Sequence, residues 1–125
     1  MTITFTHEES ENYFYNSLCN GLGEMGGYGL SLDYNTKEYQ SAKAKLESPC
    51  FEDVLMQILR DGGSITLVDE ECDGEYTKSI TMKDVHERVA KTPMKHLTDA
   101  ITENDDAITA DVIIQTVFFE DIIFG

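Results

Sequence analysis

A glycine-rich stretch, GLGEMGGYG over residues 21–29, contains the spacing G-x-G-x-x-G. In dinucleotide-binding proteins that spacing follows a strand and opens a helix, so that the helix N-terminus holds the pyrophosphate. Here the flanking patterns predict a helix before the glycines and a strand after them, and no lysine or arginine precedes Lys37 to offset phosphate charge. These features argue against nucleotide binding. They predict instead a turned or mobile loop, with Met25 and Tyr28 as its contact residues.

The most concentrated anionic feature is the segment DEECDGE over residues 69–75, whose carboxylates belong to Asp69, Glu70, Glu71, Asp73 and Glu75. Its start is similar to the first half of an EF-hand calcium loop, in which alternate positions supply oxygen ligands and the sixth is glycine. Two departures weigh against a calcium loop, because Glu71 replaces a shorter side chain and Ile80 stands where the bidentate Glu belongs. A solvated acidic hairpin tip is therefore expected, and a weak divalent-cation site is the alternative.

Histidine and cysteine are the remaining residue types that could do chemistry: His7, His86, His96, Cys19, Cys50 and Cys72. No HExxH, GxSxG or CxxC spacing is present, so no zinc site, serine nucleophile or disulfide framework is predicted. The histidines are expected to be exposed or capping, and Cys19 and Cys50 to be buried as small hydrophobes. Carboxylates around Cys72 disfavour its thiolate, which argues against a nucleophile. The sequence predicts no catalytic residue, cofactor or metal site.

Charge is the strongest property of the chain as a whole, because 24 Asp and Glu against nine Lys and Arg give a net charge of −15. All nine bases lie between Lys37 and Lys95, and further acids follow them at Glu103, Asp105 and Asp106. A negative surface repels phosphate backbones and anionic membranes, which argues against direct nucleic-acid binding and membrane attachment. The partner classes that remain are a basic protein surface and a cation. Having no partner also fits the charge, because acidity alone can keep a protein soluble.

Periodicity and capping patterns predict the elements that must position these residues. A short strand over residues 2–5 leads into a capping box at Thr6 and Glu9, which begins a helix that stops at Gly21. A strand is predicted over residues 30–34, and Asp73-Gly74, a favoured type I′ turn pair, predicts a β-hairpin between two later strands. Further helices are predicted over residues 35–46, 48–61, 81–90 and 93–101.

The C-terminal segment over residues 107–124 is ambiguous, because its Val, Ile and Phe favour a strand while a narrow polar stripe at Asp111 and Gln115 favours a helix. We predict a mostly buried helix. Adjacent aromatic residues occur in two places, at Tyr13, Phe14 and Tyr15 and at Phe118 and Phe119. We expect them to pack in the core, and the alternative is that they form a homodimer or partner interface. The predicted fold is α+β, a single compact domain over residues 1–125 with a small, mostly antiparallel sheet and a β-hairpin packed by about five helices.

The N-terminal residues MTITFTHEESE lack a basic start and an apolar core, and no apolar run reaches the ~20 residues that span a bilayer, so the cytoplasm is the expected compartment.

The runs PCFEDVLMQILRDGG and DDAITADVIIQTVFFEDIIFG resemble small acidic proteins of unknown function from gut Bacteroides-type bacteria and their mobile elements. The resemblance covers about the last two thirds of the chain. It implies an accessory protein and brings no activity, cofactor or site residue.

Three functional hypotheses fit these features. The first is a non-enzymatic interaction protein that presents residues 69–75 and 103–111 to a basic protein partner, and its sharper form is DNA mimicry. It predicts a continuous negative face without a concave pocket beside the glycine-rich loop. The second is a small-ligand binder or enzyme that uses the 21–29 loop as a lid, and it predicts such a pocket with a perturbed titratable group. The third is the weak divalent-cation site at residues 69–75.

Overall fold

The computed structural model describes residues 4–71, 73–102 and 107–124. This part of the chain forms six α-helices, three β-strands and one 3₁₀ turn (Val89–Lys91). In chain order the elements are α1 His7–Gly27, β1 Leu30–Tyr34, α2 Thr36–Ala44, α3 Phe51–Arg60, β2 Ile65–Asp69, β3 Lys78–Ile80, α4 Met82–Arg88, α5 Met94–Ile101 and α6 Ala107–Phe119. The predicted α+β fold, with a small antiparallel sheet and helices packed around it, is confirmed.

The sheet has the order β1-β2-β3 with both pairs antiparallel, and Leu32 lies opposite Leu67 while Ile65 lies opposite Ile80. Alternate residues of β2 point to opposite faces, so Ile65 and Leu67 are buried while Thr66 donates to or accepts from Ser79 on the outer face at 2.6 Å. The predicted hairpin is confirmed as the pair β2 and β3. Its connection is longer than a two-residue turn and spans residues 70–77.

Local capping signals begin the helices close to where the sequence predicts. The Thr6 hydroxyl accepts from the Glu9 amide at 3.1 Å and the Glu9 carboxylate accepts from the Thr6 amide at 2.9 Å, which confirms the capping box. Residues 4–6 are not in a strand, and the rest of the predicted N-terminal strand lies outside the described residues. Helix α3 is capped by Cys50 rather than Ser48, because Ser48 takes a left-handed conformation with φ 48° and cannot lead directly into a helix.

Helix α1 continues through the glycine-rich stretch, so the predicted stop at Gly21 and the predicted loop over residues 21–29 are wrong. Gly21 faces α6, and a Cβ there would come within 2.9 Å of Ile114 Cδ1 and 3.1 Å of the Ala110 carbonyl carbon. Glycine therefore lets the two helices approach closely. Its intrinsic cost in a helix, about 1 kcal/mol relative to alanine, is offset by burial of apolar side chains on the same face, among them Met25.

The core lies between the inner face of the sheet and helices α1, α3 and α6. Helix α6 is buried along most of its length, which confirms the predicted buried helix and excludes the strand alternative. The apolar stripe of α3 is also confirmed, since Val54, Leu55, Ile58 and Leu59 are buried while Phe51, at its start, is exposed. Helices α1 and α6 pack along each other, and both contribute residues to the groove of the candidate site.

Candidate interaction surface

The loop between β2 and β3 is organised by a buried carboxylate. Asp69 is only 4% exposed, and its two oxygens accept from the backbone amides of Glu71 at 3.1 Å and Tyr76 at 3.2 Å. The Thr77 hydroxyl accepts from the Asp69 amide at 3.0 Å. Asp69 is therefore buried beneath the loop rather than exposed on it, and its contact with a partner stays a prediction. The inward face of β2 places it inside, where it fixes the loop.

The other acids of the loop are exposed, and we call residues 70–75 with the carboxylates of Glu70, Glu71, Asp73 and Glu75 the acidic loop. The Ser31 hydroxyl donates to Glu70 at 2.9 Å. The Glu71 side chain crosses over Gly29, where a Cβ would lie 2.5 Å from the Glu71 carboxyl carbon. Gly29 also has φ +79°, a left-handed conformation that favours glycine and would strain any other residue, whereas the exposed Glu71 side chain can move aside. Glu103, Asp105 and Asp106, predicted as partner-binding, and Cys72 lie outside the described residues.

Positive charges are engaged elsewhere on the molecule. Arg60 pairs with Glu11 at 3.1 Å, and Arg88 contacts both Asp84 and Glu120 at 3.2 Å. Lysines form three further ion pairs among the described residues, which are Lys45–Asp61, Lys83–Glu87 and Lys91–Glu120. Among the described residues, no ion pair reaches any carboxylate of the acidic loop. These carboxylates are therefore available to an external cation without breaking an internal pair.

A groove of about 300 Å³ lies beside the acidic loop, between the end of α1, helix α6 and the C-terminal segment. Its lining residues are Glu24, Tyr28, Ala107, Ile108, Asp111, Val112, Gln115, Ile122 and Phe124. The Tyr28 hydroxyl donates to Asp111 Oδ2 at 2.5 Å, and Gln115 Nε2 donates to Asp111 Oδ1 at 2.6 Å. The hydrogen bond to Asp111, helped by burial, raises the pKa of Tyr28 to about 12. Tyr28 thus stays protonated and acts as a fixed donor.

The C-terminal segment is fastened to α6 by Gln115. Its Oε1 accepts from the amides of Ile123 at 2.8 Å and Phe124 at 2.9 Å, while Nε2 also donates to the Phe124 carbonyl at 3.1 Å. This holds the Phe124 ring stacked on Tyr28, with centroids 5.1 Å apart, and edge-on to Tyr76 of the hairpin connection at 5.4 Å. Phe124 therefore links the groove to the segment that carries the acidic loop.

The structure places the two predicted contact residues of the glycine-rich stretch differently. Tyr28 lines the groove as a contact residue would, whereas Met25 is 1% exposed and packs in the core because it points to the inner side of α1. A pocket with a perturbed titratable group exists beside residues 21–29, as the ligand-binding hypothesis expects. The interaction hypothesis is wrong in expecting no pocket there, and an interaction surface in this region has to include the groove. Its walls are helices and the C-terminal segment, so no glycine loop serves as a lid.

Sequence reasoning missed the side chains that build the groove from the C-terminal side. Three aliphatics at or beside the groove are well exposed: Ile108 (65%), Ile122 (41%) and Ile123 (37%). Gln115, in contrast, is completely buried, and its polar character inside an apolar run was the available signal. A buried amide must find partners, and four backbone or side-chain contacts supply them.

A second polar cluster lies where α1 meets the start of α3. The Tyr15 hydroxyl donates to Asp53 at 2.7 Å and lies 3.7 Å from the Cys50 sulfur, and Cys19 follows one turn later on α1. The hydrogen bond to Asp53 raises the pKa of Tyr15 and lowers that of Asp53, and partial desolvation raises the pKa of Cys19. Cys19 and Cys50 are exposed, so their predicted burial is wrong. A cavity of about 340 Å³ adjoins the cluster.

The histidines are more engaged than the sequence suggests. His86 is half-buried, its Nε2 lies 3.0 Å from Glu11, and its ring stacks on His7 with centroids 3.8 Å apart. His96 Nδ1 lies 3.4 Å from the Thr109 hydroxyl. None of these rings enters the groove or the acidic loop. They fasten helices to one another.

The described residues also bear on metal and membrane binding. Residues 4–71, 73–102 and 107–124 contain no group of three or more His, Cys, Asp or Glu side chains placed to hold a metal ion. The acidic loop gives the predicted cation site no ligand set in this part of the chain, since both oxygens of Asp69 serve backbone amides. No helix over the same residues combines the length and the apolar character needed to cross a bilayer.

No family model, curated protein or solved structure matches this chain. The resemblance to small acidic proteins of Bacteroides-type bacteria therefore stays a prediction, and the functional argument depends on the geometry alone.

Proposed function

We propose that this protein is a non-enzymatic interaction protein that binds a basic segment of a partner protein through the acidic loop. One observation carries the proposal. The four exposed carboxylates of the loop make no ion pair with any described residue, whereas five of the nine bases are already paired elsewhere, namely Lys45, Arg60, Lys83, Arg88 and Lys91. The cytoplasm is the proposed compartment.

The construction of the loop favours binding over mere solubility. Solubility requires only that charge be exposed, but Asp69 and Thr77 also hold the loop backbone in one arrangement. A loop that is already ordered loses less conformational entropy when a partner binds. The net charge of −15 adds a long-range attraction that raises the association rate for a basic partner at low salt.

Two triple variants with equal charge changes test this proposal. The first replaces loop acids, as Glu70→Gln, Glu71→Gln and Asp73→Asn. The matched control replaces exposed acids outside the loop, as Glu8→Gln, Asp33→Asn and Glu47→Gln. Proteins retained from lysate by the unchanged protein at low salt and released at high salt are purified, and the Kd of each is measured against the three versions.

We expect the loop variant to weaken binding at least tenfold and the control to weaken it less than threefold, because a local contact differs from a change in total charge. Equal weakening by both variants would mean that only overall charge matters and would refute the loop as the site. Retention of no salt-sensitive protein would refute the function. A retained protein that binds duplex DNA and is displaced from it would support the sharper form, DNA mimicry.

A further inference from the structure

We infer that the groove takes an aliphatic side chain of the basic segment, so that the partner presents an apolar residue flanked by lysine or arginine. The inference rests on the proposed function, because it assigns the second half of the same binding surface. The acidic loop supplies charge, and the groove supplies a place for one apolar side chain between the end of α1 and α6.

The groove has the composition of a docking pocket for a side chain. Its walls include the aliphatic groups of Ile108, Val112 and Ile122, and the ring of Phe124 forms one end. Ile108 and Ile122 are exposed although each is among the more apolar residue types, and Ile123 is exposed beside them. Several exposed aliphatics around a concavity are typical of a surface that a partner covers. A volume near 300 Å³ is at the small end of ligand pockets and suits a side chain.

Three polar side chains that line the groove already have hydrogen-bond partners: Tyr28, Asp111 and Gln115. Asp111 accepts from Tyr28 and from Gln115, one donor on each oxygen, and Gln115 also holds the C-terminal segment. An aliphatic side chain can therefore enter without leaving these groups unpaired. Because the wall formed by Ile122 and Phe124 is fixed through Gln115, the groove does not have to be assembled on binding.

Charge decides which occupant fits. Glu24 lines the groove and is exposed, and the acidic loop is joined to it through the contacts of Phe124 with Tyr28 and Tyr76. A second copy of this chain would bring another net charge of −15 against this face, so self-association is disfavoured. A basic segment is attracted by the same charges. The surface thus fits an apolar side chain with cationic neighbours. The loop alone would select only for positive charge, and the groove alone would select only for an apolar side chain.

Two synthetic peptides test the inference directly. Each has three lysine or arginine residues on either side of a central residue, which is leucine in one peptide and serine in the other. We expect the leucine peptide to bind the unchanged protein about tenfold more tightly or better, because only leucine gains from burial in the groove. Titration calorimetry at physiological salt measures both Kd values.

Matched protein variants locate the effect. The pair Ile108→Ser and Ile122→Ser alters exposed groove residues and should reduce the leucine preference to less than twofold. The control pair Met94→Ser and Ile101→Ser alters equally exposed apolar residues of α5 outside the groove lining and should leave the preference unchanged. The loop triple variant should weaken both peptides alike and leave their ratio intact.

The outcomes separate the two proposals. If both peptides bind equally and both weaken in the loop variant, the proposed function stands and the groove inference is overturned. If neither peptide binds, or if the loop variant binds both as the unchanged protein does, the proposed function fails and the inference fails with it. A dimer in sedimentation analysis that dissociates in the Ile108→Ser, Ile122→Ser variant would show that a second copy covers the groove, which also overturns the inference.

Discussion

Two tyrosines at different positions along α1 make the same bond to a neighbouring helix. Tyr15, in the first half of α1, donates to Asp53 of α3 at 2.7 Å, and Tyr28, at the cap of α1, donates to Asp111 of α6 at 2.5 Å. The two aspartates differ in the second hydrogen bond that each accepts. Asp53 also accepts from the Cys50 amide at 3.2 Å and so begins α3, whereas Asp111 accepts from Gln115, which holds the C-terminal segment.

This difference shows that the consequence of a tyrosine–aspartate pair depends on its surroundings. Asp53 is half-buried at the surface, so water can replace a lost partner at small cost. Asp111 lies on a buried network that shapes the groove, so a lost partner leaves a polar atom unsatisfied and loosens a wall. We therefore expect changes near Tyr28 to affect both stability and binding, and changes near Tyr15 to affect stability alone.

The largest effect should follow from Gln115→Ala. The change removes four hydrogen bonds from a buried site and leaves Asp111 and the amides of Ile123 and Phe124 without that partner. We expect a loss of about 3 kcal/mol in the free energy of unfolding, measured by urea titration. The control Gln57→Ala removes a single bond to Asp61 on a helix surface and should cost less than about 0.5 kcal/mol.

A smaller effect separates the two tyrosines directly. Tyr28→Phe should cost about 2 kcal/mol because it leaves Oδ2 of a buried aspartate unpaired, and Tyr15→Phe should cost less than about 1 kcal/mol because Asp53 keeps its backbone donor. Urea titration of both variants at neutral pH measures the difference. Equal costs would show that the two pairs do not differ in the way their burial implies.

The alkaline behaviour of Tyr28 provides a separate check on the same pair. Its folded pKa of about 12 lies above the ordinary value of 10, so the folded state holds the proton more tightly than the unfolded state. The stabilisation is fully present below pH 10 and is lost as the pH rises through about 12. The difference in tyrosinate absorbance between the unchanged protein and Tyr28→Phe should therefore have its midpoint near 12 rather than 10.

A further prediction compares two glycines of α1, of which only Gly21 packs against α6. Gly21→Ala places a Cβ against Ile114 and the backbone of Ala110, which pushes α6 away from α1 and should cost about 1–2 kcal/mol net of the gain in helix propensity. Gly23→Ala meets no atom within 4 Å and should stabilise the helix by about 0.5–1 kcal/mol. Thermal unfolding measures both variants. A lower melting temperature for Gly21→Ala and a higher one for Gly23→Ala would support close packing of α1 on α6 at Gly21, and a higher melting temperature for both would refute it.

The sequence predicts the elements whose signals are local. Thr6 and Glu9 are three residues apart, and the stripe of Val54 and Ile58 repeats with the helical period, so neither depends on distant contacts. The role of Gly21 is not visible in the sequence, because it depends on α6, which supplies Ile114 across the interface. A glycine that opens a loop and one that permits close packing look the same in the sequence.

The candidate site was only half predictable for the same reason. The acids Glu70, Glu71, Asp73 and Glu75 stand together in the sequence, and the structure keeps them together on one exposed loop. The groove combines Tyr28, Ile108 and Phe124, which come from three separate parts of the chain. No local pattern brings these residues together, since α6 and the C-terminal segment must first dock on α1.

The smallest predicted effect is a change, at acidic pH, in the stability cost of Tyr15→Phe. The hydrogen bonds from Tyr15 first, and from Cys50 next, hold the pKa of Asp53 below its usual value, so the folded state favours the carboxylate. This stabilisation is fully present above the unfolded pKa near 4 and is lost as the pH falls through the lower, folded pKa. The cost of Tyr15→Phe should therefore shrink between pH 6 and pH 3 in urea titrations. The control Tyr39→Phe, which changes a ring stacked on Tyr34, should show no such trend. A cost for Tyr15→Phe that stays constant over this range would mean that its hydroxyl stabilises the helix contact independently of the charge on Asp53.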